Sequence, residues 1–141
     1  MTRIYWDTML FIHLLEDKGP LGARAGVIQE AMQERGDQLC TSVFTLGELL
    51  VQPIRLGLVQ TATRIREVMR SPEVEVVPFS EDVAEQFALI QAQFTIAAAD
   101  AIHVATAARA RVNLFLTNDQ RLRRLHVPGI DFIAPLDAEL F

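Results

Sequence analysis

Short β-prone runs alternate with stretches of helical periodicity along the whole chain, and this alternation narrows the fold more than any other feature. Strand-like runs are expected over Arg3–Asp7, Gln38–Ser42, Val74–Phe79, Asn113–Thr117 and Asp131–Ala134. Helical patterns fill the intervals: Thr8–Glu16, a second helix to about Arg35, Phe44–Gln52, Leu58–Arg70, a helix from Ser80 to about Gln93, and Ala98–Arg111. Strands joined through helices pair in parallel, because a parallel pair needs a long crossover. Helices then cover both faces of the sheet. The fold class is therefore α/β, three layers (α/β/α) around a central, mainly parallel sheet. A length of 141 residues suits one domain over 1–141, with no repeat, linker or low-complexity segment to divide it.

Local punctuation agrees. Gly19-Pro20 and Gly22 mark a loop, and Gly36 is placed to end the second helix in the left-handed region. Pro53 is expected to limit the helix before it, and Ser71-Pro72 the next one. Ser80 followed by Glu81 and Asp82 is a helix start with first-turn carboxylates. Thr117 and Gln120 have capping-box spacing and open a short helix through Arg124, before Pro128-Gly129 turns the chain.

Composition excludes several classes. Half the residues are apolar, which argues against disorder, yet no apolar run approaches the length of about 20 that a spanning helix needs. Met9–Leu15 is too short and too interrupted for a cleaved leader: Asp7 precedes it, His13 breaks it and Glu16-Asp17-Lys18 follows it. Cys40 is the single cysteine, so no internal disulfide forms, and a reducing cytoplasmic setting is expected. The net charge is −5 and Lys18 is the only lysine, so the chain lacks the basic footprint of a general nucleic-acid binder. There is no phosphate-binding glycine loop, zinc ligand spacing or nucleophile elbow.

What remains is carboxylates in unusual places. Asp7 ends an apolar strand where the chain enters a helix. Glu48 sits within Phe44-Thr45-Leu46-Gly47-Glu48-Leu49-Leu50-Val51, a helix with little polar face to offer it. Asp100 is surrounded by alanine and isoleucine, and Asp119 follows the strand Leu114-Phe115-Leu116 through Thr117-Asn118. Taken singly, Asp7 and Asp119 read equally well as ordinary helix-start acids, and Asp100 less readily so. Taken together, Asp7 and Asp119 lie past the C-terminal ends of strands, the edge where open parallel sheets gather ligands. Clustered carboxylates repel, and a divalent cation relieves the repulsion. Oxygen ligands without His or Cys suit Mg²⁺ or Mn²⁺, which polarise a phosphoryl oxygen and activate water.

At these residues the chain resembles the PIN-domain family, of the VapC-like toxin ribonuclease kind. The matching segments are Ile4-Tyr5-Trp6-Asp7-Thr8, Thr45-Leu46-Gly47-Glu48-Leu49, Ala99-Asp100-Ala101-Ile102-His103-Val104-Ala105-Thr106-Ala107 and Leu116-Thr117-Asn118-Asp119. The resemblance implies an Mg²⁺- or Mn²⁺-dependent endoribonuclease whose acidic positions fall on Asp7, Glu48, Asp100 and Asp119. It places Thr117 beside the last acid, to orient a carboxylate or a water. It also implies the toxin of a type II toxin–antitoxin pair, held by a small antitoxin protein and self-associating as a homodimer. Met9 departs from the small polar residue that many relatives carry after the Asp-Thr pair.

The function expected is metal-assisted hydrolysis of an RNA phosphodiester, with the four acids as metal ligands and catalytic residues. Arg121, Arg123 and Arg124 are candidate RNA contacts, though a solvated helix face accounts for them as well. His103, one turn from Asp100, reads as a packing or supporting residue rather than a catalytic one. Two rivals stand beside this reading. One is a catalytically silent interaction module of the same fold. The other is an aspartyl-nucleophile phosphatase, disfavoured because Met9 stands where that chemistry wants a second aspartate.

Overall fold

A computed structural model describes residues 2–16 and 19–141. Asp17 and Lys18, part of the charged run after the first helix, lie outside the described residues. The order is β1 (Arg3–Trp6), α1 (Thr8–Glu16), α2 (Pro20–Arg35), β2 (Gln38–Ser42), α3 (Val43–Arg55), α4 (Val59–Arg70), β3 (Val74–Val77), α5 (Glu81–Gln93), α6 (Ala98–Arg109), β4 (Leu114–Leu116), α7 (Gln120–Arg123) and β5 (Phe132–Ala134). The strands form one sheet in the order β3-β2-β1-β4-β5, and every pairing is parallel.

The period-2 alternation of strand side chains divides the core in two. Tyr5 pairs in register with Cys40 and Phe115, and all three point to one face, where α5 and α6 bury Val83, Ile90, Ala101, Val104 and Ala105 against them. Ile4, Trp6, Leu39, Leu114 and Leu116 point to the other, under Leu10 and Phe11 of α1, Ile28 and Met32 of α2, Leu49 of α3 and Ile65 of α4. Strands buried on both faces read as continuous apolar runs, as Ile4-Tyr5-Trp6 of β1 and Leu114-Phe115-Leu116 of β4 do at the centre of the sheet.

The small residues of α6 let it lie close on the sheet. Ala101, Ala105 and Ala107 are fully buried along it. At the other end of the sheet, Gly36 takes φ 71° and its flanking N–H groups bond back to Gln33 and Met32, closing α2 as its glycine requires.

Three local expectations are corrected. Gly19, Pro20 and Gly22 do not form a loop: Gly19 is the cap, Pro20 opens α2 and Gly22 lies within its first turn. Proline has no N–H to lose at that position. Pro53 does not end α3, which runs on to Arg55; so near the C-terminus it removes only the bond to the Leu49 carbonyl, and its ring is buried. The cap of α7 is Asp119 rather than Thr117, and the helix stops at Arg123.

Candidate active site

β1 lies between β2 and β4, so the chain departs in opposite directions on either side of it. That is the topological switch point, where a crevice opens past the strand ends. Asp7 follows β1 and Thr117 follows β4 at this crevice. A cavity of about 240 Å³ occupies it, lined by Asp7, Thr8, Glu48, Asp100, His103 and, among its apolar walls, Phe115 and Leu122. Three of the four acids expected at the site therefore share one cavity.

Asp7 caps the turn into α1, its Oδ1 accepting the Met9 N–H at 3.1 Å. Burial pushes its carboxyl above the usual range, offset in part by a hydrogen bond from the Thr117 hydroxyl and by His103. Asp100, in the first turn of α6, is raised too: burial leads, and the negative charges of Asp119 and Glu48 add to it. Asp119 lies outside the cavity lining, yet its charge is felt at Asp100. Its carboxylate is gripped by Arg121, Oδ1 accepting Nε at 3.2 Å and Oδ2 accepting Nη2 at 2.9 Å, and that grip holds it below the usual range. The buried Thr117 serves both acids, since its Oγ1 also accepts the Asp119 N–H at 3.1 Å.

Glu48 projects from the middle of α3 into a chain of buried polar groups. Its Oε1 accepts from Thr8 Oγ1 at 2.5 Å and from His103 Nε2 at 2.6 Å. On the far side of the imidazole, Nδ1 meets the Tyr5 hydroxyl at 2.6 Å. An ionised Glu48 only accepts, so Nε2 carries the proton between them, while Nδ1 shares its hydrogen bond with the Tyr5 hydroxyl. Burial drives the Tyr5 hydroxyl well above its ordinary value, so it keeps its proton. Burial also pushes Glu48 upward, but the bonds from His103 and Thr8 outweigh it and hold the carboxylate ionised.

His103 was expected to support rather than catalyse, and it does orient Glu48. Tyr5 and Thr8 were not singled out. The signal for Tyr5 was present: in β1 it alternates away from Ile4 and Trp6, onto the face that receives α6 and His103. Of the arginines after Asp119, Arg121 is engaged by that acid, Arg123 borders a separate cavity, and Arg124 is exposed.

The donors are hard carboxylate oxygens, burial raises both Asp7 and Asp100, and neighbouring carboxylates raise Asp100 further; this chemistry fits a divalent cation. Among the described residues, however, no three His, Cys, Asp or Glu side chains stand close enough to hold an ion as they are. Glu48 Oε1 and both oxygens of Asp119 are taken by protein donors.

Residues 4–127 match the model of the PIN domain. The chain belongs to the PIN-domain family. Among solved structures, it is similar to VapBC2 from Rickettsia felis bound to a DNA fragment from their promoter, at TM-score 0.74 and 14% identity, covering 95% of this chain and 98% of that one. It is similar to the Mycobacterium tuberculosis toxin VapC20, described as cleaving the sarcin-ricin loop, at TM-score 0.69 and 18% identity, over 82% and 91% of the two chains. A toxin–antitoxin complex from Klebsiella pneumoniae matches at TM-score 0.66 and 22% identity, over 90% and 94%. No curated protein sequence matches the chain. This PIN chain has no described helix long and apolar enough to cross a membrane.

Proposed function

We propose that this chain is a single PIN domain acting as an Mg²⁺- or Mn²⁺-dependent endoribonuclease, the toxin of a type II toxin–antitoxin pair in the cytoplasm. The observation that carries the reading is the convergence of Asp7, Glu48 and Asp100 on one cavity at the switch point, with the Asp119 charge felt across it. Asp7, Glu48 and Asp100 would hold the cation, with Asp119 joining on release from Arg121. The cation supplies charge neutralisation and Lewis acidity toward a phosphodiester. The chain's own residues do the positioning. Thr8 and His103 hold Glu48 ionised and fixed through Oε1, which leaves Oε2 for a ligand. Thr117 ties Asp7 to the backbone that carries Asp119. Phe115 and Leu122 close the floor of the cavity against water.

A protein partner fits the surface. Ile54, Leu56, Leu58 and Val59 are all exposed around the turn from α3 to α4, with Arg55 and Gly57 between them, and a small antitoxin helix would cover these apolar side chains. Self-association into a homodimer belongs to the same proposal. The deciding assay is RNA cleavage with Mg²⁺ or Mn²⁺, with and without EDTA, by wild type, Asp7→Asn and Asp100→Asn. Cleavage confined to the metal-loaded wild type is expected; cleavage that survives EDTA or either substitution refutes the site. Growth arrest on expression of the wild type, absent for Asp7→Asn, is the expected sign of a toxin.

A further inference from the structure

α7 separates two cavities. Leu122 faces the carboxylate site, while Gln120 and Arg123 border a second hollow of about 440 Å³, shared with Leu21 and Arg24 of α2, Asn118 and Asp137. The second hollow begins beside Asp119, so the two are consecutive stations along one edge of the sheet. Their electrostatics are opposite. Three carboxylates, Asp7, Glu48 and Asp100, line the first with no lysine or arginine among them; the second has two guanidinium groups against one carboxylate. Among the described residues, neither Arg24 nor Arg123 has a carboxylate within ion-pair distance, whereas Arg3, Arg35, Arg109 and Arg121 each do.

Arg24 is fixed by neutral acceptors, Nε donating to the Leu136 carbonyl at 2.7 Å and Nη2 to that of Ala138 at 2.9 Å, so none of these bonds to a described residue neutralises its charge. Nε of Arg123 is buried and has no hydrogen-bond partner. A buried N–H without an acceptor is rare and costly, and here it belongs to a cation bordering a hollow. Asn118 Oδ1 accepts the Leu136 N–H at 3.0 Å, so its amide N–H₂ remains as a further donor. The first turn of the 16-residue α2 adds its positive end to the same wall.

We infer that this hollow is a phosphate subsite for the RNA strand, in which Arg24 and Arg123 hold a backbone phosphate next to the carboxylate cavity. The inference rests on the ribonuclease reading and adds to it the place where an acidic protein anchors its anionic substrate. Two guanidinium groups and the Asn118 amide N–H₂, opposed by the single carboxylate of Asp137, suit a phosphodiester's oxygens, and contacts of this kind set register rather than sequence.

The test is fluorescence anisotropy of a labelled single-stranded oligoribonucleotide in Mg²⁺ over a salt series, on Asp7→Asn protein so that the strand stays intact. Added Arg123→Gln is expected to weaken binding about five- to tenfold and to lower the slope of log K against log salt by about 0.7, the value of one single-strand phosphate contact. Leu21→Glu serves as the second variant. Leu21 is 41% exposed, and a first-turn carboxylate favours helix α2, so the fold is kept while the hollow gains a negative charge. It should weaken binding to a similar degree. Equal affinity and slope in both variants overturn the subsite and leave the nuclease reading standing. Loss of binding to an oligoglutamate peptide but not to RNA would assign the hollow to a protein acid and overturn it as well. The EDTA-dependent cleavage assay decides the nuclease reading separately.

Discussion

Tyr5→Phe removes one oxygen and almost nothing else. The ring is fully buried and lies stacked on Phe115, centroids 4.9 Å apart and planes 10° from parallel, so phenylalanine retains the packing and the apolar burial. What disappears is the hydroxyl 2.6 Å from His103 Nδ1, deep in the core, together with its bonds to Thr41 and Thr45. A buried polar group left without its hydrogen-bond partner costs about 1–3 kcal/mol. For a domain of this size each kcal/mol is worth roughly 4 °C in Tm, so the expected loss is about 4–12 °C. Urea unfolding at neutral pH should show a lower midpoint with the same m, because the buried area is unchanged. The variant should also need more Mg²⁺ for cleavage, since the imidazole that holds Glu48 loses the hydrogen bond that fixes its far side. In a His103→Leu background the same substitution should be neutral or stabilising, because the hydroxyl has then already lost its partner there. A loss below about 0.5 kcal/mol in the wild-type background, with unchanged metal dependence, would refute the argument that Tyr5 aligns the Glu48 carboxylate through His103.

Other perturbations read other parts of the molecule. Burial raises Asp7, so the folded protein holds that proton more tightly than the unfolded chain, and stability falls as pH climbs from the ordinary carboxylate value to the raised one. Asp7→Asn keeps the acceptor for the Met9 N–H, so the metal-free variant should be the more stable at neutral pH with a flatter pH profile in urea titrations; a less stable variant refutes this. Gly129 has φ 101° and an added Cβ would lie 2.4 Å from the Ala108 carbonyl oxygen, so Gly129→Ala should cost about 2–3 kcal/mol in thermal unfolding. Burial, opposed by Arg3 and reinforced by the neighbouring Glu75 carboxylate, pushes the Cys40 thiol up to about 12. A thiol reagent at pH of about 8 should therefore label it at least about 100-fold more slowly in the folded protein than in denaturant.

The alternation of apolar strands with helical periodicity, and the two-faced burial of Ile4, Tyr5 and Trp6, are properties of neighbouring residues, so the sequence alone determined the α/β class and a parallel sheet. It also determined which carboxylates were misplaced, because Glu48 has apolar neighbours along its own helix. The exceptions were matters of a single turn. Pro53 lies where only one backbone bond depends on it, and the Thr117 hydroxyl was drawn to the Asp119 N–H instead of capping α7. Tertiary structure alone decided what the acids touch. Tyr5 and His103 stand 98 residues apart and His103 and Glu48 stand 55, so no spacing rule reveals the polar chain that aligns Glu48. Nor could local sequence separate the three arginines after Asp119. Arg121 is neutralised by its own neighbour, while Arg123 shares a hollow with Arg24 from a helix nearly one hundred residues earlier. Whether a charge is compensated depends on what the fold packs beside it, and that is set by long-range contacts rather than by residue type.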